Sequence, residues 1–328
     1  MSEPSPVLAI ILKAILLLLW APFVQGAIKR TKAWLQRRHG PPVLQPFADL
    51  RKYFRKEMVV SPTATWLFHT APFVNAAATA AAAFLVPMAL VASAWPGAEA
   101  AVGAGASASA GLGGDMLLVV GFLALARFAM AGAALESGSS FGGMGSSREM
   151  AVSAFVEPAL LLTLGVFTVR TGTTGLGGMA AGLASTLTSR AFPGQLLAAG
   201  ALLLIVVAET GRVPVDNPDT HLELTMIHEG LVLEYSGPYL ALITWSHDVK
   251  QLLMLSLLAD LALPVGMVGP LALTIPVFLL KTLGFGMLLA FIETAMAKVR
   301  ILKIPDLLLT ASALSILAAL ADLHLGGR

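Results

Sequence analysis

Near-unbroken apolar runs fill eight windows of this chain, near residues 6–28, 66–95, 114–135, 150–170, 195–209, 239–263, 270–296 and 305–325. About 20 apolar residues in a helix span the hydrocarbon of a bilayer, with every backbone N–H and C=O satisfied inside the segment. Only 12% of the residues are charged and 57% are hydrophobic, against about 25% charged in an ordinary soluble domain. The expectation is an all-α integral membrane protein of about eight transmembrane helices. It forms a single transmembrane domain over 1–328, with no soluble domain beside it. The N-terminal MSEPSPVLAIILKAILLLLWAPFV has no basic leader and no small-residue cleavage site, so it reads as a retained first span.

Charge outside the windows sets the topology. The basic loop 29–57 holds Lys29, Arg30, Lys32, Arg37, Arg38, Arg51, Lys52, Arg55 and Lys56, whereas 96–115 and 171–194 together hold only Arg190. Basic residues accumulate on the cytoplasmic side, which places 29–57, 136–149, 210–238 and 297–304 there. Both termini then lie outside a multi-pass protein of the cytoplasmic (inner) membrane. The sequence pI near 9 is therefore a topology signal, and no nucleic-acid partner is expected. Trp34, Phe47, Tyr53 and Phe54 interleave with the cations of AWLQRRHGPPVLQPFADLRKYFRKE, which predicts an amphipathic cytoplasmic loop helix. Lipid headgroups are its ordinary partner. Docking of a cytoplasmic protein through Arg37, Arg38, Arg51 and Lys52 is the more specific reading.

The acidic loop 209–238 carries the functional signal. Seven of the chain's nineteen carboxylates and three of its six histidines fall between Glu209 and Asp248. Such groups persist beside a bilayer where water or partner charges compensate their desolvation. Thr220 followed by Glu223 has the spacing of a capping box, and His221 and His228, seven apart, share one helical face. Glu223 can equally be a plain cap and the histidines plain packing. No metal motif is present. The chain has no cysteine, which excludes cysteine-ligated iron–sulfur clusters and disulfides in it. No cofactor is expected in this chain, and any redox centres belong to other subunits.

Charges also interrupt the apolar windows or sit at their ends: Lys13, Arg127, Glu136, Glu157, Glu209, Asp260, Lys281 and Glu293. A charge at a helix centre costs roughly 2.5–3.5 kcal/mol on insertion scales, so each needs a reason. For Glu157 the bland reason is a buried ion pair with Arg127 or Lys281. The functional one is a chain of titratable groups passing protons along a wet path.

Three segments carry a family resemblance: AWLQRRHGPP at 33–42, GMGSSREMAVSAFVEP at 143–158 and AETGRVPVDNPDTHLELTMIHEGLVLEYSG at 208–237. They resemble the membrane subunit shared by respiratory complex I, where it borders the quinone chamber, and the membrane-bound nickel–iron hydrogenases. Ala208, Glu209, Thr210, Arg212, Pro214, Asp216, Glu234, Tyr235, Ser236 and Gly237 fit the family frame. Gly211 stands where complex I usually has Asn and Val215 where it usually has Phe. With DNPDTHLELTMIHE and SSREM, these departures resemble the hydrogenase branch, that of formate hydrogenlyase and hydrogenase 4.

The resemblance implies a non-redox subunit of a multisubunit oxidoreductase, not catalytic in isolation. It would anchor hydrogenase large and small subunits, which carry a nickel–iron centre and iron–sulfur clusters, and pass protons toward antiporter-like membrane subunits. Carried over by position, Glu209, Asp216, Glu223, Glu229 and Glu234 form the loop end of a proton path, and Glu136 and Glu157 continue it into the membrane. Arg127, Arg212, His221, His228, Lys281 and Glu293 supply counter-charge or coupling. In complex I this region also contributes to a quinone chamber; the Gly211 and Val215 departures argue against a quinone here. The alternatives left open are the quinone-binding membrane subunit of complex I, an NADH-quinone oxidoreductase, and a purely structural membrane anchor.

Overall fold

The computed structural model describes residues 6–61, 64–86, 114–184, 192–216, 227–265 and 271–326. In chain order the helices are α1 Pro6–Leu35, α2 Gln45–Arg55, α3 Trp66–Leu85, α4 Met116–Glu136, α5 Ser140–Thr171, α6 Leu176–Ala184, α7 Phe192–Glu209, α8 His228–Val232, α9 Gly237–Ala262, α10 Leu271–Ala295 and α11 Ile304–Gly326. A 3-10 turn, Ile301–Lys303, leads into α11. No strand occurs among the described residues; Asp115 and Gly175 form an isolated bridge.

Local chemistry sets several boundaries. The Asp115 carboxylate caps α4 by accepting from the Leu117 N–H at 3.1 Å, and the Ser139 hydroxyl caps α5 by accepting from Gly142 at 3.0 Å. α5 stops at Gly172, whose φ of +72° is the left-handed turn that glycine adopts freely. Pro22, Pro72, Pro158 and Pro276 sit inside helices, and Pro264 follows the end of α9.

Among the described residues, five segments are long and apolar enough to cross a membrane: Met116–Glu136, Ser140–Thr171, Phe192–Glu209, Leu273–Ala295 and Ile301–His324. The expected eight is not reached by that measure. α3 and α9 are long enough but are interrupted by polar residues, His69 and Asn75 in α3 and the string Ser246–Gln251 in α9; α1 is apolar from Pro6 to Phe23 but for Lys13.

α9 forms the axis of the bundle. Residues 251–261 are all buried, and the helix packs against α1, α2, α3, α7 and α10. α3 lies along α4 with small residues at Ala71, Ala78, Ala82 and Ala83 fully or nearly fully buried, which lets the two backbones approach. α11 packs on α5 and α7, and its Ser315 hydroxyl meets that of Thr163 at 2.7 Å.

The loops gather at one end of this bundle. Ser236 exchanges hydrogen bonds with the backbone of Val59, Thr65 N–H donates to Glu136, and Val299 N–H donates to the Pro214 carbonyl at 2.8 Å. Gly237 has φ +55°, and a Cβ there would lie 2.9 Å from the Glu57 carbonyl oxygen, so only glycine lets α9 begin against the end of α2. Gly145 and Gly230 abut backbone to backbone, which lets the short α8 lie directly on α5. The amphipathic helix expected in the basic loop is α2. It buries Pro46 and partly buries Phe47, Leu50 and Tyr53, and it exposes Arg51, Lys52 and Arg55.

Candidate functional site

Arg127 organises the interior. It sits about 14 Å from the loop end of α4, nine residues at a helical rise, and is 8% exposed. Its guanidinium donates to Glu157 and to both oxygens of Glu209, at 2.5 and 2.6 Å. The Arg127 Nε lies 3.6 Å from Glu149. Lys250 Nζ reaches the same Glu209 at 2.9 Å. Glu149 and Glu157, roughly two turns apart, share a face of α5, and Glu209 is the last residue of α7. Three carboxylates and two cations from four helices thus form one connected cluster. The Glu157 side chain is 36% exposed, so the cluster reaches the outer surface of α5.

A cavity of about 40 Å³ adjoins the cluster, with Asn75, Arg127, Glu149, His228, His247 and Lys250 in its wall. The rings of His228 and His247 lie 5.0 Å apart, centroid to centroid.

A second cluster lies across α9. Arg212 donates to Glu293 at 3.0 Å and to the side-chain oxygens of Gln25 and Gln251. Lys32 Nζ lies 3.5 Å from the other Glu293 oxygen. Asp248 is buried, with Lys29 and Arg212 as its charged neighbours; its Oδ2 has no hydrogen-bond partner among the described residues. The string Ser246–Gln251 of α9 thus supplies groups to both clusters, and a polar band crosses the bundle from α5 to α10.

The other expected residues are placed as follows. Asp216 pairs with Lys298 at 2.8 Å and accepts from the N–H groups of Ile227 and His228, both at 3.3 Å. Glu136 accepts from Thr65 at 2.8 Å, and its second oxygen is buried with no hydrogen-bond partner among the described residues. Tyr235 stacks on Phe68 at 4.2 Å; burial, with Glu136 next in effect, holds its hydroxyl above the ordinary tyrosine range. Glu229 is partly buried near Tyr53, whose hydroxyl is also raised by burial, then by Asp49 and Glu229. Glu234, Arg37, Arg38, Arg51 and Lys52 are exposed. Lys281 is not in the Arg127 cluster: it pairs with Asp260 at 3.0 Å. His221, Glu223 and the capping box at Thr220 lie outside the described residues.

Sequence reasoning did not single out Lys250, His247, Gln251 or Gln25 as site residues, nor Glu149 and Asp248 for their places in the clusters. The signal was there: SHDVKQ is a polar string in the middle of an apolar window.

The arrangement defines a class, a multi-pass helical membrane protein with connected charge clusters in its interior. The family model described as NADH dehydrogenase matches residues 7–322, and the chain belongs to that family. It is 32% identical over 301 residues to hydrogenase-4 component C of Escherichia coli, covering 89% of this chain and 88% of that protein. It is 28% identical to formate hydrogenlyase subunit 4 of the same organism, over 89% of this chain and 90% of the relative. An NADH-quinone oxidoreductase subunit of Geobacter sulfurreducens is 28% identical over 85% of this chain and 83% of its own. Among solved structures, a chain of the membrane-bound sulfane sulfur reductase, an archaeal respiratory membrane complex, shares the fold. Its TM-score is 0.74 at 20% identity, covering 95% of this chain and 98% of that one.

Proposed function

We propose that the chain is the membrane-anchoring and proton-path subunit of an energy-converting, membrane-bound nickel–iron hydrogenase of the formate hydrogenlyase and hydrogenase 4 type. The observation that carries the reading is the connected cluster of Arg127, Glu157, Glu209 and Lys250, reached from the acidic loop. Charges of this kind in a bilayer interior mark ion paths and relays. The likeness to the two Escherichia coli hydrogenase-linked subunits supports the choice of complex. In this reading α1, α3 and α9 complete a set of eight spans. The end bearing loops 29–57 and 209–238 faces the cytoplasm, with both termini outside the inner membrane. The exposed Arg37, Arg38, Arg51 and Lys52 dock the cytoplasmic arm. Its large and small subunits hold the nickel–iron centre and iron–sulfur clusters, since a chain without cysteine cannot ligate the latter in the usual way.

Glu157 also supports a membrane neighbour. A partly exposed carboxylate on the outer face of α5 is costly against lipid, and an antiporter-like subunit seated there would cover it and take up the proton.

Tagging the subunit, extracting its complex in mild detergent and identifying the partners by mass spectrometry tests the first half. A large subunit with metal-binding cysteine pairs is expected; an NADH-oxidising module without them would overturn it in favour of complex I, and inhibition by quinone-site ligands would point the same way. Glu157→Gln tests the second half. Loss of ion translocation per assembled complex is expected, and normal coupling would reduce the chain to a structural anchor.

A further inference from the structure

The cavity between the acidic loop and the Arg127 cluster has a wall suited to one task. His228 belongs to α8, the first described element after the segment 217–226, and its backbone N–H is held by Asp216 at 3.3 Å. His247 lies on the polar string of α9, three residues from Lys250. The two rings are 5.0 Å apart and inclined by 34°, a spacing that a single water can bridge. Behind them the cavity of about 40 Å³ has room for roughly three waters at 10–15 Å³ of probe volume each. Asn75, Thr79 and Ser246 line it as polar partners for such waters. At its far wall stand Arg127 and Lys250, which hold Glu209.

The charged and titratable groups facing the pair come from every neighbouring element. They are Arg127 of α4, Glu149 of α5, Lys250 of α9, Lys29 of α1, Arg212 of the loop and Asp216, which accepts from the His228 N–H. Four of these six are cations. The described residues hold no group of three histidines or carboxylates that could hold a metal ion. Neutral imidazoles and water suit that field. An imidazole accepts a proton at one ring nitrogen and releases one from the other, so a net proton crosses with no other bond made or broken.

We propose that His228 and His247, with the water of this cavity, form the loop-side proton entry to the Arg127–Glu209–Glu157 cluster. The inference deepens the proton-path reading and rests on it. His228 is the outer member, partly buried at the loop end; His247 is the inner one and hands the proton across the cavity to the carboxylates. Asp216 acts through His228 as a positioning residue.

The test compares His228→Ala, His247→Gln and, as a reference, Glu209→Gln in the assembled complex in sealed vesicles. Proton uptake is read with a pH dye and normalised to the partner subunits recovered. The expected result is a loss of at least tenfold for all three variants, with several-fold recovery of His228→Ala, and not of Glu209→Gln, on adding free imidazole. A structural role for His228 would not respond to imidazole, so lost uptake with no recovery overturns the assignment. Wild-type uptake in both histidine variants with uptake abolished in Glu209→Gln overturns the histidine entry and leaves the carboxylate path standing. Wild-type uptake in Glu209→Gln overturns the path itself and the entry with it.

Discussion

Replacing Arg127 by methionine, alone and with Glu209→Gln, probes the cluster at its centre. The guanidinium meets three carboxylates, but not equally. Glu209 has a side chain 2% exposed and is gripped through both oxygens. Glu157 is partly exposed and Glu149 stands 3.6 Å away, so solvent or headgroups discount their shares. Removing one partner of a buried pair costs about 3–5 kcal/mol, and Arg127→Met should fall in that range, chiefly through Glu209 left with Lys250 alone. Adding Glu209→Gln removes the stranded charge, so the double variant should recover about 2–3 kcal/mol relative to additivity. That is roughly 30- to 150-fold in the unfolding equilibrium. The four proteins would be purified in one detergent and unfolded by increasing dodecyl sulfate, followed by tryptophan fluorescence. If the double variant unfolds where the sum of the single effects puts it, Arg127 does not hold Glu209 in the folded protein and the reasoning fails.

Two further outcomes are expected from the loop end. Gly237→Ala forces a Cβ into a left-handed backbone against the Glu57 carbonyl; at about 1–2 kcal/mol for the backbone alone, trypsin should cut beside Arg55 and Lys56 roughly 5- to 30-fold faster, and an unchanged rate would contradict the close approach. Tyr235→Phe loses the bond from its hydroxyl to the Phe68 carbonyl, 3.1 Å, and should cost about 1 kcal/mol at neutral pH. Because burial raises the folded-state pKa of Tyr235, the unfolded chain ionises first, near pH 10. Wild type then loses stability as pH rises through that range. The phenylalanine variant is spared that loss, so unfolding midpoints at about pH 8 and pH 10.5 should show the gap between the two proteins narrowing.

The helices were legible because length and apolarity alone decide them, with no need to know which face turns inward. α2 was legible because aromatics and cations interleave over 33–57. Charge pairing was not. Sequence offered Glu157 two partners, Arg127 and Lys281, and the choice depends on how neighbouring helices are rotated, which one chain's spacing does not encode. Lys281 turns to Asp260 on the adjacent helix instead. Arg212 sits in the acidic loop yet pairs with Glu293 from α10, 81 positions away. The polar string of α9 stayed unassigned for a different reason: it supplies groups to both clusters, and which side chain faces which cluster depends on how α9 is rotated against its neighbours.

Asp216 has a consequence beyond the charge it carries. Its carboxylate is bonded to the backbone of Ile227 and His228, so it ties together the two flanks of the segment 217–226, and Lys298 pins the knot to the next loop. A segment sewn shut at its base can change length or wording without tugging on what lies beneath, since doubling a loop costs only about 0.6 kcal/mol in closure entropy. The stitch separates two jobs that selection would otherwise have to satisfy together. Below it, the charged interior keeps its spacing.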